Sequence, residues 1–247
     1  MWYIEYVRAR RALTVYGIIV AAIVAIALLV RFNVNVSLQS GPVHTPINIL
    51  TIACGFIIAI LGTVLATSLS SHVNGHLEIA WTKPIPRDRL IAQTFAIDIG
   101  ALAVAYVVTL VVAISINAVF GSHLDYTTSQ LGHVAAELLF PIALYAMVQG
   151  VTSAVGRRAG MLAGLAWPVM LLAGGVIPAP VPPFVHQAIV AINYFNPLAL
   201  LSTNMHLGHN YNMLGLETWS PIALGDAVLI VALGFVLALV QWRRLEV

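Results

Sequence analysis

The chain has 247 residues, of which 60% are hydrophobic and only 8% are charged, and its formal net charge is +2. A soluble domain of this length needs far more charge on its surface, so the composition excludes one and is typical of an integral membrane protein. The small net charge gives no indication of nucleic-acid binding. The single cysteine, Cys54, lies inside an apolar stretch, which excludes an internal disulfide and most cysteine-based metal sites.

The first predicted element is an amphipathic helix over residues 1–11. Aromatic and apolar residues recur at helical spacing on one face, and charged residues lie on another. The apolar face carries Trp2, Tyr6, Ala9 and Leu13, and the charged face carries Glu5, Arg8 and Arg11. We expect this helix to lie in the lipid headgroup layer with its arginines toward anionic lipid. The alternative is that these arginines simply flank the first span.

Six apolar stretches follow, each of the ~20 residues that a helix needs to cross ~30 Å of hydrocarbon. They cover residues 12–30, 47–71, 90–120, 131–156, 159–178 and 221–242. The stretches lack the alternation of barrel strands, so only helices can span here. The prediction is an all-α polytopic membrane protein, with residues 1–247 forming a single transmembrane domain of six helices. The third stretch is longer than a bilayer needs, so its first turns, with Asp98, can extend below the hydrocarbon.

The distribution of positive charge predicts the orientation. Ten of the eleven Lys and Arg residues lie in the N-terminal segment, the second and fourth connections and the C-terminal tail, and only Arg31 falls on the other side. Lys and Arg are retained on the cytoplasmic side of a membrane. We therefore expect both termini to be cytoplasmic and the protein to lie in the plasma (inner) membrane.

Small residues form two possible packing faces. Gly156, Gly160 and Gly164 repeat every four residues at the fifth stretch, and Ala21 and Ala25 give the first stretch a similar face. Such faces let another helix approach closely. The partner is either a helix of the same chain or a second copy of the protein.

The segment 179–220 is too apolar for a free loop and too rich in proline to span the membrane. Short helices that re-enter the outer leaflet or cap the bundle satisfy both properties. We interpret this segment as an external lid.

The second connection, residues 72–89, has an unusual order of elements. Apolar residues recur at helical spacing up to Trp81, with Glu78 on the polar side, and Pro84 and Pro86 end that helix before the long third span. A short helix, a stiff joint and a long helix make a mechanical linkage. The alternative is an interfacial loop with retained positive charges.

The string LEIAWTKPIPRDRLIAQ resembles the cytoplasmic loop of type-2 ATP-binding-cassette exporter permeases, and the six spans and the segment before the last span are similar to that family too. The resemblance implies a coupling helix that docks on a separate ATPase, with two permease copies and two ATPase copies in one complex. The implied contact and joint residues are Glu78, Trp81, Lys83, Pro84 and Arg87. Pro86 stands where the family often has serine.

The chain itself is not expected to be an enzyme or to carry a cofactor. A P-loop needs Gly-Lys-Ser/Thr, and the sole lysine, Lys83, stands between Thr and Pro. ATP and Mg would then bind the partner ATPase. Few fixed charges line the predicted pathway, so we expect an amphipathic or lipid-soluble cargo such as a drug, a peptide or a lipid.

Ionisable residues inside spans are costly, so they are candidates for a function. Glu137 and His133, four residues apart at the outer end of the fourth span, and Asp226 in the last span are candidate pathway or gate residues. The alternative is that these carboxylates are hydrogen-bonded or reached by water.

Six of the eight histidines fall on the predicted outer side. His206 and His209, in HLGH, are close enough to share a metal, but the spacing specifies no third ligand, so no metal site is predicted. The histidines leave open a copper-enzyme-maturation permease of the same family, and His133 with Glu137 leaves open a membrane-embedded binding or redox module.

Overall fold

The computed structural model describes residues 2–33, 44–73, 86–119, 123–125, 134–206, 209–212, 214, 216 and 220–244. Within these ranges the main elements are helices. They are α1 (Trp2–Asn33), α2 (Ile47–Leu65), α3 (Ser68–Val73), α4 (Arg87–Val119), α5 (Leu139–Thr152), α6 (Ala159–Gly175), α7 (Pro183–Asn193) and α8 (Pro221–Arg244). Short 3-10 helices lie at Gly156–Arg158 and Pro197–Leu200.

Two short ladders of strands accompany the helices, and the sequence did not predict them. Strands β1 (His44–Pro46) and β2 (His123–Asp125) pair in parallel, and β3 (Ser202–His206) pairs with β4 (His209–Asn212) in antiparallel fashion.

Six helical stretches in the described part of the chain are long and apolar enough to cross a membrane, which confirms the coarse prediction of an all-α, six-span fold. They are Glu5–Ile26, Leu50–Ser70, Asp88–Val119, Val134–Thr152, Gly156–Gly175 and Pro221–Arg244. The protein is therefore multi-pass by length and composition.

The separate N-terminal helix predicted for residues 1–11 is wrong as an element, because α1 runs without a break from Trp2 to Asn33. No proline interrupts this sequence, and its only glycine, Gly17, lies well inside the span. We expected Arg8 to point toward anionic lipid, but it forms an ion pair with Asp98 of α4. Glu5, on the same predicted charged face, is buried.

Helix α5 forms the centre of the bundle, since ten of its fourteen residues are buried. It packs closely against α8, where a Cβ added to Gly150 would lie 2.7 Å from the carbonyl oxygen of Gly234. A Cβ added to Gly234 would collide with the carbonyl oxygen of Ala146. The two backbones thus touch, and glycine is the residue that this distance permits.

The glycine repeat at 156, 160 and 164 is not a continuous stripe. Gly156 is buried in a turn with a φ of 63°, and α6 begins only at Ala159. A left-handed φ suits glycine because it has no Cβ, so this residue serves the turn rather than a helix face. Gly160 and Gly164 are exposed, with open space around them. The dimer contact predicted for these glycines stays a prediction.

Ala21 and Ala25 are exposed on α1 and line an apolar groove of about 720 Å³ between α1 and α4. The predicted lid, in its described part, contains α7 and the buried 3-10 helix Pro197–Leu200. Asn196 holds it to α6 by donating to the carbonyl oxygen of Met170 at 2.9 Å.

Candidate functional site

A buried polar network surrounds Asp98, in the fourth turn of α4. The side chain of Asp98 is 0% exposed. It accepts hydrogen bonds from Arg8 Nη2 at 2.6 Å, Tyr145 OH at 2.9 Å and Ser68 Oγ at 3.2 Å. These donors belong to α1, α5 and α3, so one carboxylate joins four helices.

Arg8 lies between two buried carboxylates. Its Nε is 3.0 Å from Oε2 of Glu5, which is 1% exposed, and its own side chain is 24% exposed. Burying a carboxylate is unfavourable unless the charge is paired and hydrogen-bonded. The guanidinium meets this requirement for both acids because its nitrogens point in different directions within one plane. Arg8 therefore ties the start of α1 into the bundle.

The same region connects α5 to the turn between α2 and α3. The hydroxyl of Thr152 lies 2.8 Å from the carbonyl oxygen of Ala66. The Gln149 amide, oriented so that both of its polar groups are satisfied, donates to that carbonyl oxygen and accepts from the backbone N–H of Leu69 at 3.2 Å. These hydrogen bonds satisfy backbone carbonyl and N–H groups that have no partner within their own helix because they lie at helix ends.

A second contact ties α4 to α8 at the end of the bundle. Arg243 Nη2 lies 2.6 Å from Oδ2 of Asp88, and both side chains are largely exposed. Next to this pair, Trp242 Nε1 donates to the carbonyl oxygen of Ser153 at 3.0 Å. Ten residues separate Asp88 from Asp98, which is about 15 Å along a helix. Helix α4 is thus held at two levels, one exposed and one buried.

The acids predicted as gate residues are both buried, with Glu137 at 2% and Asp226 at 7% exposure. Tyr106 of α4 donates to the carbonyl oxygen of Val134 at 2.7 Å, which places this end of the fourth span level with the middle of α4. Glu137 lies about one turn inside the start of the span Val134–Thr152, and its role as a gate residue stays a prediction. Within the described chain, Oδ2 of Asp226 has no hydrogen-bond partner.

Several predicted site residues lie outside the described residues. They are Glu78, Trp81, Lys83, Pro84 and His133. Arg87 is the first residue of α4, and His206 and His209 are register partners in the β3–β4 ladder. No group of three or more His, Cys, Asp or Glu side chains that could hold a metal occurs in the part of the chain that the structure describes.

The network itself was not predicted from the sequence. Asp98 was noted only as an acid in a long span, and Glu5 and Arg8 were placed on the charged face of an interfacial helix with its arginines toward anionic lipid. The sequence does contain an indication of the network, because Asp98 is the only acid of α4 beyond its first turn. A carboxylate in an apolar helix needs a cation or hydrogen-bond donors nearby. The arginines at the start of α1, predicted to lie on the same side of the membrane, were candidates for this cation.

The fold and this network define a multi-pass, predominantly helical protein whose longest helix, α4, is anchored by buried charge. No protein-family model matches the chain, and neither a curated protein nor a solved structure matches it.

Proposed function

We propose that the chain is the membrane-spanning permease subunit of an ATP-driven exporter of the type-2 ATP-binding-cassette class. In this proposal two copies of the chain assemble with two copies of a separate ATPase that binds ATP and Mg. The six candidate spans and the sequence of the 72–89 loop support it. The observation that carries it is the anchoring of α4, which begins directly after the Pro-x-Pro joint and is bound to the bundle at two levels.

Helix α4 is suited to transmit a force from the loop. It has 33 residues and no proline between its first residue, Arg87, and its last, Val119. An unbroken helix of this length moves as a rod of about 50 Å. A partner that moves the loop would move the first turn of α4 with it.

The two anchors of α4 differ in strength. The Asp88–Arg243 pair is exposed, and exposed ion pairs contribute little because water and salt screen them. The Asp98–Arg8 pair is buried and supported by two hydroxyl donors. In the proposed cycle the exposed pair opens while the buried pair holds, so α4 tilts about Asp98. The far half of α4 lines the groove against α1, and that groove would change shape.

The grooves of the bundle support an apolar or amphipathic cargo. The groove between α1 and α4, of about 720 Å³, is lined almost entirely by aliphatic side chains. A second groove of about 510 Å³ lies between α5, α6 and residues 192–197, and its lining is apolar as well. Apolar linings of this kind bind ligands mainly through buried area.

Co-purification tests the proposal. The full-length chain, purified from its own membrane in mild detergent, should bring with it a Mg-dependent ATPase activity, which must belong to a partner because the chain has no P-loop. Trp81→Asp or Glu78→Arg should abolish that activity in the purified sample while the protein still inserts. Arg157→Gln, a charge removal in another connection on the same predicted side, is the matched control and should retain it. Absence of ATPase activity from the unaltered protein, or its retention in both loop variants, would refute the proposal.

A further inference from the structure

The groove between α5, α6 and residues 192–197 has the length of one leaflet of a bilayer. On α6 its lining runs from Leu162 to Ala173, a rise of eleven residues or about 16 Å. Half of a hydrocarbon layer of about 30 Å is about 15 Å. A chain that hangs from the surface of one leaflet to the middle of the membrane therefore matches the groove from end to end.

Two asparagine hydrogen bonds fix the depth of the groove. Asn193 Nδ2 donates to the carbonyl oxygen of Ala173 at 3.0 Å. Asn196 Nδ2 donates to the carbonyl oxygen of Met170 at 2.9 Å. The span that contains both acceptors ends at Gly175, so they lie about 3 Å and 7.5 Å inside that end. The groove thus begins just inside one surface of the hydrocarbon and runs toward its middle.

The two polar side chains of the lining already have partners. The hydroxyl of Thr152 lies 2.8 Å from the carbonyl oxygen of Ala66. Asn196, besides its bond to Met170, accepts from the backbone N–H of Leu198 at 3.1 Å. All other lining residues are apolar. A ligand of this groove gains apolar contact and no hydrogen bond from these groups, which suits a hydrocarbon chain.

The groove does not coincide with the face that small residues predict for a second copy of the chain. Val169, in the lining, follows Gly160 by nine residues, or two and a half turns, so it lies on the opposite side of α6. Val169 and Ile192, both in the lining, are each 63% exposed. At hydrocarbon depth an exposed apolar side chain meets lipid, so the groove opens toward lipid.

We propose that the groove holds one acyl chain of a glycerophospholipid from the adjoining leaflet. Each C–C bond of an extended chain advances it by about 1.2 Å, one third of the distance that the three backbone bonds of an extended residue cover. The groove therefore takes about 14 carbons. Residues 176–200 contain no Lys, Arg, Asp or Glu, so this segment offers the headgroup no fixed charge. The site selects chain length and not headgroup.

The lipid is a resident component of the protein. The proposal does not depend on the proposed transport function, whose cargo would have the larger groove between α1 and α4.

Native mass spectrometry of the full-length protein tests the proposal. Extracted from its own membrane in mild detergent, the chain should retain one glycerophospholipid, with headgroups in the proportions of that membrane. After exchange with synthetic phosphatidylcholines, retention should rise with chain length to about 14 carbons and then level off.

Two variants fill the groove from its middle and its outer end. Ala166→Phe and Ala173→Phe each place a ring in the lining and should lose the lipid. The matched control is Ala188→Phe, at an exposed alanine of α7 outside the lining, and it should keep the lipid. Gel filtration and far-ultraviolet circular dichroism of each variant establish that the fold is intact.

Several outcomes would overturn the proposal. They are no bound lipid in the unaltered protein, a bound molecule with the mass of a free fatty acid or of the detergent, and equal lipid retention in both groove variants and the control. Conversion of a dimer to a monomer by Ala166→Phe with the lipid retained would instead assign the groove to a second copy. None of these results bears on whether an ATPase co-purifies, so the two proposals fail separately.

Discussion

Replacing Arg8 with glutamine tests whether the network around Asp98 is held by charge. Arg8 pairs with Asp98 and Glu5, which are 0% and 1% exposed. Removing one partner of a buried ion pair destabilises a protein by about 3–5 kcal/mol because a buried charge is left without compensation. The Arg8 side chain is 24% exposed, so water reaches the site and we expect the lower end, about 3 kcal/mol.

The assay is reversible unfolding of the full-length protein in mixed micelles with increasing SDS, followed by circular dichroism. Arg10→Gln is the matched control, because Arg10 lies on the same helix and is exposed. Its effect should stay within about 0.5 kcal/mol. Arg8→Lys should be intermediate, because a single ammonium cannot occupy the positions of both Nε and Nη2.

A double variant separates charge from packing. If Asp98 is stabilised by the guanidinium, Asp98→Asn should cost much less when Arg8 is already glutamine than when Arg8 is present, since no buried charge then remains at that position. The reasoning is refuted if Arg8→Gln and Arg10→Gln are equally stable, or if the effects of Arg8→Gln and Asp98→Asn simply add.

Two further predictions concern packing and orientation. Gly234→Ala should destabilise the protein by about 1–3 kcal/mol, because the added Cβ disrupts the α5–α8 contact. Gly225→Ala on the same helix is the control, since Gly225 has open space around it and should tolerate the change. Equal stability of the two variants in the unfolding assay would contradict the close contact. In a protein whose sole cysteine is replaced, Cys54→Ala, an impermeant maleimide should label Arg157→Cys only from the cytoplasm and Phe184→Cys only from outside. Phe184 and Arg157 are both exposed, so the reverse labelling pattern would refute the predicted orientation.

The number and position of the spans could be predicted from the sequence because the length of an apolar stretch is a local property. The last span, predicted at 221–242, is observed at Pro221–Arg244, and the third, predicted at 90–120, at Asp88–Val119. Hydrocarbon thickness sets the same requirement for every span, so no tertiary information is needed. The ends of these two spans agree within two residues for that reason, whereas the first span, predicted at 12–30, is observed at Glu5–Ile26.

The contacts between spans could not be predicted in this way. Helical spacing shows that Glu5 and Arg8 share a face but not that this face meets α4. The four-residue repeat also placed Gly156 wrongly on a helix face. Sequence spacing does not show that the backbone at this residue departs from helical geometry and adopts a positive φ. The ladder of β1 and β2 pairs strands that are remote in sequence, and strands of three residues carry no readable alternation.

The position of the Arg8–Asp98 pair explains why α4 is longer than a bilayer requires. Arg11 and Arg31 are separated by 20 residues of α1, about 30 Å, which is the thickness of the hydrocarbon layer. Arg8 lies about one turn before Arg11, and the ion pair fixes Asp98 at the level of Arg8. From Asp98 to Val119 is again a full span, so the residues of α4 before Asp98 extend about 15 Å further on the arginine-rich side.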